Sequence, residues 1–205
     1  RPTDSFFPTC IPTLRIIMKT TLTTVWTLVA LWAVAPAISH SAEATVSLAD
    51  GKVTMKAPES WEKKTPRTRI VDFEFAAPTA EGDDTAARVT VMGAGGSVEA
   101  NIDRWIGQFS QPDGRSTKDR TKTEKFEVSG STVHVVDISG RFKDQPGPFA
   151  PAVYRDEYRM IGAIVVTDKL GQYFIKMYGP KATVEKNAKA FREMLDSLKV
   201  AKAAE

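Results

Sequence analysis

The stretch ARVTVMGAGGSVEANIDRWIGQF, residues 87–109, changes its periodicity halfway along, and that change decides the fold. Ala87, Val89 and Val91 alternate with Arg88 and Thr90, the period-two pattern of a strand with one buried face. Gly93-Ala94-Gly95-Gly96 stops the strand, Ser97 supplies an N-cap, and Glu99 suits the first helical turn. Beyond it Val98, Ile102, Trp105, Ile106 and Phe109 fall within an arc of about 100° on a helical wheel. The spacing predicts an amphipathic helix over about 97–110, ended by Gln111-Pro112-Asp113-Gly114. Such a stripe needs a sheet face to cover.

Working outward, the flanks supply that sheet. Thr45–Leu48 and Val53–Met55 bracket Ala49-Asp50-Gly51-Lys52, a hairpin signal. Val71, Phe73 and Phe75 alternate with Asp72 and Glu74 as a further strand. Phe126–Val128 and Thr132–Ile138 join through Ser129-Gly130-Ser131. Tyr158–Thr167 and Tyr173–Tyr178 form another pair, in which Gly162 signals a bulge or a close approach. The segment Lys143–Pro151, rich in proline, reads as a loop that supplies no ladder. Thr183 caps a last helix over about 183–200, in which Val184, Ala188, Phe191, Leu195 and Leu198 keep the helical period. Hairpin-spaced strands with one central and one C-terminal helix predict an α+β fold, an antiparallel sheet packed against helices. Residues 45–200 form one domain in this reading, without internal repeats.

The N-terminal region reads as an export signal. From Met18 a lysine at position 19 precedes an apolar stretch, Val25–Ala35, and then small residues from Ala37 to Ala44. That is the three-part pattern of a cleavable signal peptide over 18–42, with 1–17 as translated upstream sequence. The apolar stretch is shorter than the roughly 20 residues of a membrane span and is broken by Pro36; an uncleaved membrane tether is the competing expectation. The one cysteine, Cys10, lies ahead of Met18, so the exported part carries no disulfide and no thiolate chemistry. Arg1, Arg15 and Lys19 against Asp4 account for two of the three net positive charges. The remaining balance gives no footprint for nucleic acid.

No catalytic kit stands out. His134 sits between two valines of a strand, and no serine occupies a Gly-x-Ser-x-Gly elbow. One histidine without cysteine excludes the usual nitrogen-and-sulfur zinc sites, and Asp83-Asp84 lacks the ligand spacing of a calcium loop. The glycines at 93–96 precede a helix but carry no P-loop lysine, so turn geometry explains them. A hydrolase would need two of Asp72, Glu74, Asp137, Asp156 and Glu157 to converge on one cleft. The most distinctive group is Asn101, Arg104 and Gln108, which share an arc of about 60° beside the Trp105 edge of the apolar stripe. Polar groups there either fix strand ends and loops or form a ligand or partner site with Arg104 as an anion clamp.

That helix, taken with the early Pro58-x-x-Trp61 and the Tyr173–Gly179 strand before the C-terminal helix, resembles a group of uncharacterised exported bacterial proteins. The pattern in turn looks like the fold of PsbP, the extrinsic photosystem II subunit, and of the Mog-type Ran-binding proteins. The resemblance implies an antiparallel sheet between helices and a non-enzymatic binding or accessory role, and carries over no partner. The expectation is therefore an exported (periplasmic or extracellular) binding domain for a protein or small ligand. It would use Asn101, Arg104 and Gln108 with the Pro146–Pro151 loop, need no cofactor or metal, and meet a membrane only through an uncleaved signal. An intact-mass measurement on exported protein should return a chain lacking Trp26 and Trp32; a mass that includes them means the tether.

Overall fold

The computed structural model describes residues 44–145, 147 and 149–201; the segments 1–17 and 18–42, on which the expected upstream sequence and signal fall, lie outside them, as do Pro146 and Pro148. Strands β1 (Ala44–Leu48), β2 (Val53–Ala57), β3 (Glu62–Lys64), β4 (Phe73–Ala77) and β5 (Ala87–Ala94) lead to helix α1 (Val98–Ile106). There follow β6 (Phe109–Ser110), the single turn α2 (Thr117–Arg120), β7 (Lys122–Val128), β8 (Ser131–Asp144), β9 (Val153–Val166) and β10 (Gln172–Pro180). Helix α3 (Lys181–Asp196) and β11 (Lys199–Val200) finish the chain. The main sheet runs β3-β4-β5-β10-β9-β8, and β7 and β6 share the outer edge of β8; β1, β2 and β11 make a smaller sheet. Every pairing is antiparallel, as hairpin spacing demands. The expected α+β class is what forms.

Period two sends alternate residues of each strand to opposite sides, and here both sides are covered. On one, Phe75, Val89, Ala163, Val165, Ile175 and Met177 pack under Val184, Phe191, Met194 and Leu195 of α3 and under the small sheet. On the other, Trp105 and Phe109 cover Val136, Ile138, Phe142, Met160, Ile164 and Phe174. Gly162 explains how α1 sits so close. A β-carbon there would lie 2.6 Å from Cζ3 of Trp105, so the missing side chain is the socket for the indole. The close approach is the half of the sequence expectation that holds at Gly162. The bulge lies elsewhere: Gly140 faces Tyr158 and Phe142 faces Arg155, leaving Asp156 and Glu157 against Arg141, with Glu157 at φ 52°.

Several boundaries differ from the sequence reading, among them the start of β7, at Lys122 and not Phe126. α1 stops at Ile106, short of 110, because Phe109 enters β6 and pairs with Phe142, ring centroids 5.0 Å apart. The loop expected from Lys143 gives way to strand: Lys143 pairs with Tyr154 and Asp144 with Val153, extending both strands of the hairpin to 14 residues. α3 begins two residues before Thr183 and ends at Asp196, and Lys199 joins β2 as a strand residue. Thr183 is therefore not the cap. Asp83, a hundred residues away, accepts from the Thr183 amide at 3.0 Å and from its hydroxyl at 2.6 Å. A distant carboxylate thus satisfies an orphan amide of the first turn, which local sequence pattern cannot show. Asn187, 3 % exposed, pins the same helix by donating to Pro78 and Thr183 carbonyls while accepting from Trp61 Nε1.

Gly162→Ala should destabilise the protein by about 1–3 kcal/mol through overpacking. In a Trp105→Ala background, where the socket is empty, most of that loss should vanish. Urea denaturation of the four-member cycle checks it; equal losses in both backgrounds would mean that the indole does not occupy the socket.

Candidate binding face beside helix α1

The polar arc of α1 does two different things. Asn101, 6 % exposed, donates through Nδ2 to the carbonyls of Gly95 (2.9 Å) and Ser97 (2.8 Å). It locks the glycine turn to the helix, while Ser97 Oγ accepts from the Ala100 amide. Asn101 is thus a loop-fixing residue. Its Oδ1 accepts from Arg104 Nη2 at 2.8 Å, which aims the exposed Arg104 across the Phe174 ring, 5.8 Å from its centroid. Gln108 lies past the helix end; its carbonyl accepts from the Lys143 amide and its side chain is half-buried. Of the expected trio, Asn101 and Arg104 are hydrogen-bonded to each other, and Gln108 follows two residues after the end of α1. Of the Pro146–Pro151 loop, Gly147, Phe149, Ala150 and Pro151 are described, and Phe149 is fully exposed.

Arg104 instead meets residues of the sheet. Register places Glu74 opposite Thr90, Thr90 opposite Lys176, and Lys176 opposite Gly162. These side-chain positions share the face that α1 crosses. Lys176 Nζ lies 5.7 Å from the Trp105 ring centroid and 6.0 Å from that of Tyr178. Burial, together with the charges of Arg104 and Arg88, lowers its pKa from 10.5 to about 8. One row along, Arg88 donates to both oxygens of Glu74 at 2.8 Å and to Tyr178 Oη at 2.5 Å. Glu74 is 3 % exposed and also accepts from the Arg67 amide. The Arg88 hydrogen bond pulls the Glu74 pKa down, against the opposing effect of burial, and the same bond raises that of Arg88. Glu74 and Arg88 also line an open cleft of about 460 Å³ with Lys64 and Arg67. The Oγ1 of Thr90, 2 % exposed, has no hydrogen-bond partner among the described residues.

Lys176, Arg88, Thr90, Glu74 and Tyr178 escaped the sequence reading as a group. The available signal was a single lysine inside Tyr173-Phe-Ile-Lys-Met-Tyr178, a strand otherwise apolar on both faces. Of the carboxylates named for a hydrolase, Glu74 and Asp137 are far apart. Glu74 and Asp137 lie on opposite faces of strands four spacings apart, about 19 Å. Asp137 is held by Arg159, Asp156 by Arg141, and Asp72 accepts from the Gly93 amide. Asp83 is committed to α3 and Asp84 to the Thr85 hydroxyl. His134 is half-buried in β8 opposite Lys125 and Ile164. Among the described residues no group of three potential metal ligands assembles, and no helix is long and apolar enough to cross a membrane.

No family model matches the chain and no curated protein sequence matches it. Among solved structures, cyanobacterial PsbP (CyanoP) from Synechocystis is similar with a TM-score of 0.46 and 10 % identity, over 81 % of this chain and 96 % of that one. The Ran-binding protein Mog1p of Saccharomyces cerevisiae is similar with a TM-score of 0.42 and 9 % identity, over 78 % and 96 %. A Bacteroides thetaiotaomicron protein is similar with a TM-score of 0.42 and 16 % identity, over 76 % of this chain and 47 % of that one. The first two belong to the groups whose pattern the sequence resembles. The antiparallel α+β architecture itself is read from the strand order and packing given above.

Because the folded pKa of Glu74 is depressed below the ordinary 4.5, its contribution is present above that value and is lost as pH falls through the folded pKa. Glu74→Gln should therefore cost about 1–3 kcal/mol at neutral pH, and the deficit should shrink as pH drops below 4.5. Urea midpoints of both proteins across the acid range check this; a constant difference would contradict the charged pairing.

Proposed function

We propose that this chain is an exported accessory domain that binds a protein or small ligand without transforming it, through the sheet face beside α1. One observation carries the reading: Arg104, Lys176 and Arg88 gather around Trp105, Phe174 and Tyr178 on a face that a nine-residue helix crosses. Cations laid over aromatic rings at a half-open surface are a common way to hold an acidic or π-rich partner. Export rests on the Met18–Ala44 pattern, with 45–200 as the exported domain. Neither a cofactor nor nucleic acid enters the proposal. The near balance of charge argues against nucleic acid. The hydrolase alternative loses support because Glu74 and Asp137 lie on opposite faces and because Asp72, Asp137 and Asp156 are each committed to a partner.

A photo-crosslinking amino acid placed at position 104 should give a discrete adduct in exported material. The same group at Lys189, on the exposed side of α3, should not. Arg104→Ala should melt within about 1 kcal/mol of wild type, as surface changes do, and should abolish partner retention. Adducts of equal yield at both positions, or an unchanged partner with Arg104→Ala, would remove this face from the proposal.

A further inference from the structure

We infer that Lys176, Arg104 and the hydroxyl of Thr90 form the seat of an oxyanion, a carboxylate or phosphate group that the ligand of this face presents. The inference rests on the binding reading above and names the chemistry it takes. Charge comes first. Four cations, Arg67, Arg88, Arg104 and Lys176, stand around this part of the face with Glu74, whose two oxygens Arg88 already holds. Asp72, one row along from Glu74, is committed to the Gly93 amide. From β9 the register position opposite Lys176 is Gly162, which offers no charge. Among the described residues neither Lys176 nor Arg104 has a carboxylate partner. Arg104 donates to Asn101 and lies over the Phe174 ring, and Lys176 Nζ faces the rings of Trp105 and Tyr178.

An ammonium removed from water without a counter-charge is costly, and proteins meet that cost by pairing or neutralisation. Here the described residues supply no pairing group. Thr90 adds a second, independent sign. Its hydroxyl is buried, unpartnered, and shares a row and a face with Lys176. A native structure seldom leaves such an atom without a partner. An oxyanion supplies what these groups lack: acceptors for three ammonium protons, for the outward side of the Arg104 fork and for a hydroxyl. Gly162 contributes by absence. It lets Trp105 settle against the sheet, and the indole keeps water off one side of Lys176.

Lysine-selective 13C NMR of the full chain provides the test, with Lys176→Met identifying the resonance. Inorganic phosphate and acetate, titrated at constant ionic strength against a chloride control, should each perturb it or leave it. A saturable shift with phosphate or with acetate, absent with chloride, supports the seat, and the arm that responds identifies its source. Arg104→Gln should then weaken the response about tenfold, the size of one charge-assisted hydrogen bond. Affinity should fall as pH rises through about 8, where the ammonium loses its proton, while bound anion should raise that midpoint. A response no different from chloride, or one untouched by Arg104→Gln, would overturn the inference. If the oxyanions fail but the adduct at position 104 persists, the face stands and the ligand chemistry is wrong. If they bind and no adduct forms, the seat stands without the proposed partner.

Discussion

The arrangement hangs on a single close approach, the Trp105 indole set against the bare backbone of Gly162. An eight-stranded sheet offers two faces, and a large helix with a three-stranded sheet closes one of them. Closing the other falls to α1, nine residues long. A helix that short cannot cover a sheet by length, so it must do so by depth. A glycine in the middle of β9 lets the largest side chain of α1 descend to the strand. Trp105 then meets Phe174 edge-on, centroids 5.0 Å apart, and Phe109, Phe142 and Tyr158 continue the aromatic packing toward the β8 edge.

Depth at one point has an electrostatic consequence beside it. The indole that seals Gly162 also sits over Lys176, two strands from Glu74 and next to the Arg104 edge of the helix. Burial thus falls on a residue that would otherwise reach solvent, and Glu74, the carboxylate in its row, is committed to Arg88. The contrast with the other face is instructive. There Arg159 is half-buried, but Asp137 and Glu185 close around it, so that its charge ties α3 to the sheet. One face pairs its half-buried cation with carboxylates; on the other, none of the described carboxylates pairs with Lys176.

Much of the architecture was legible because periodicity reports burial. The strand alternation of 87–91, the hairpin turns, the stripe ending in Trp105 and the Val184–Leu198 stripe all mark surfaces that must face something apolar. What escaped was decided by partners far along the chain. Asp83 replaces the local cap of α3, Phe142 draws Phe109 out of the helix into a strand, and Lys199 leaves the helix to pair with Thr54. In the candidate face, Arg104 was legible from its place at the stripe's edge. Lys176, Arg88 and Thr90 were not, since a polar residue within a strand says nothing about which strand will lie opposite. Gln108 was grouped with Arg104 by a wheel that runs two residues too far.

The division of labour between the faces also follows from dimensions. Seven strands in line span about 29 Å at the usual spacing, whereas nine helical residues reach about 14 Å. Half the face beside α1 is therefore left to side chains of the sheet itself. The sequence fills that half with Arg88, Tyr178, Tyr158 and Arg155, each cation laid near a ring, and not with the leucines or valines that would invite another helix. A surface of this composition tolerates water yet gains from an acidic visitor. Arg88 and the two tyrosines also tie the sheet together, and Lys176, which has no carboxylate partner among the described residues, lies at the inner border of this region.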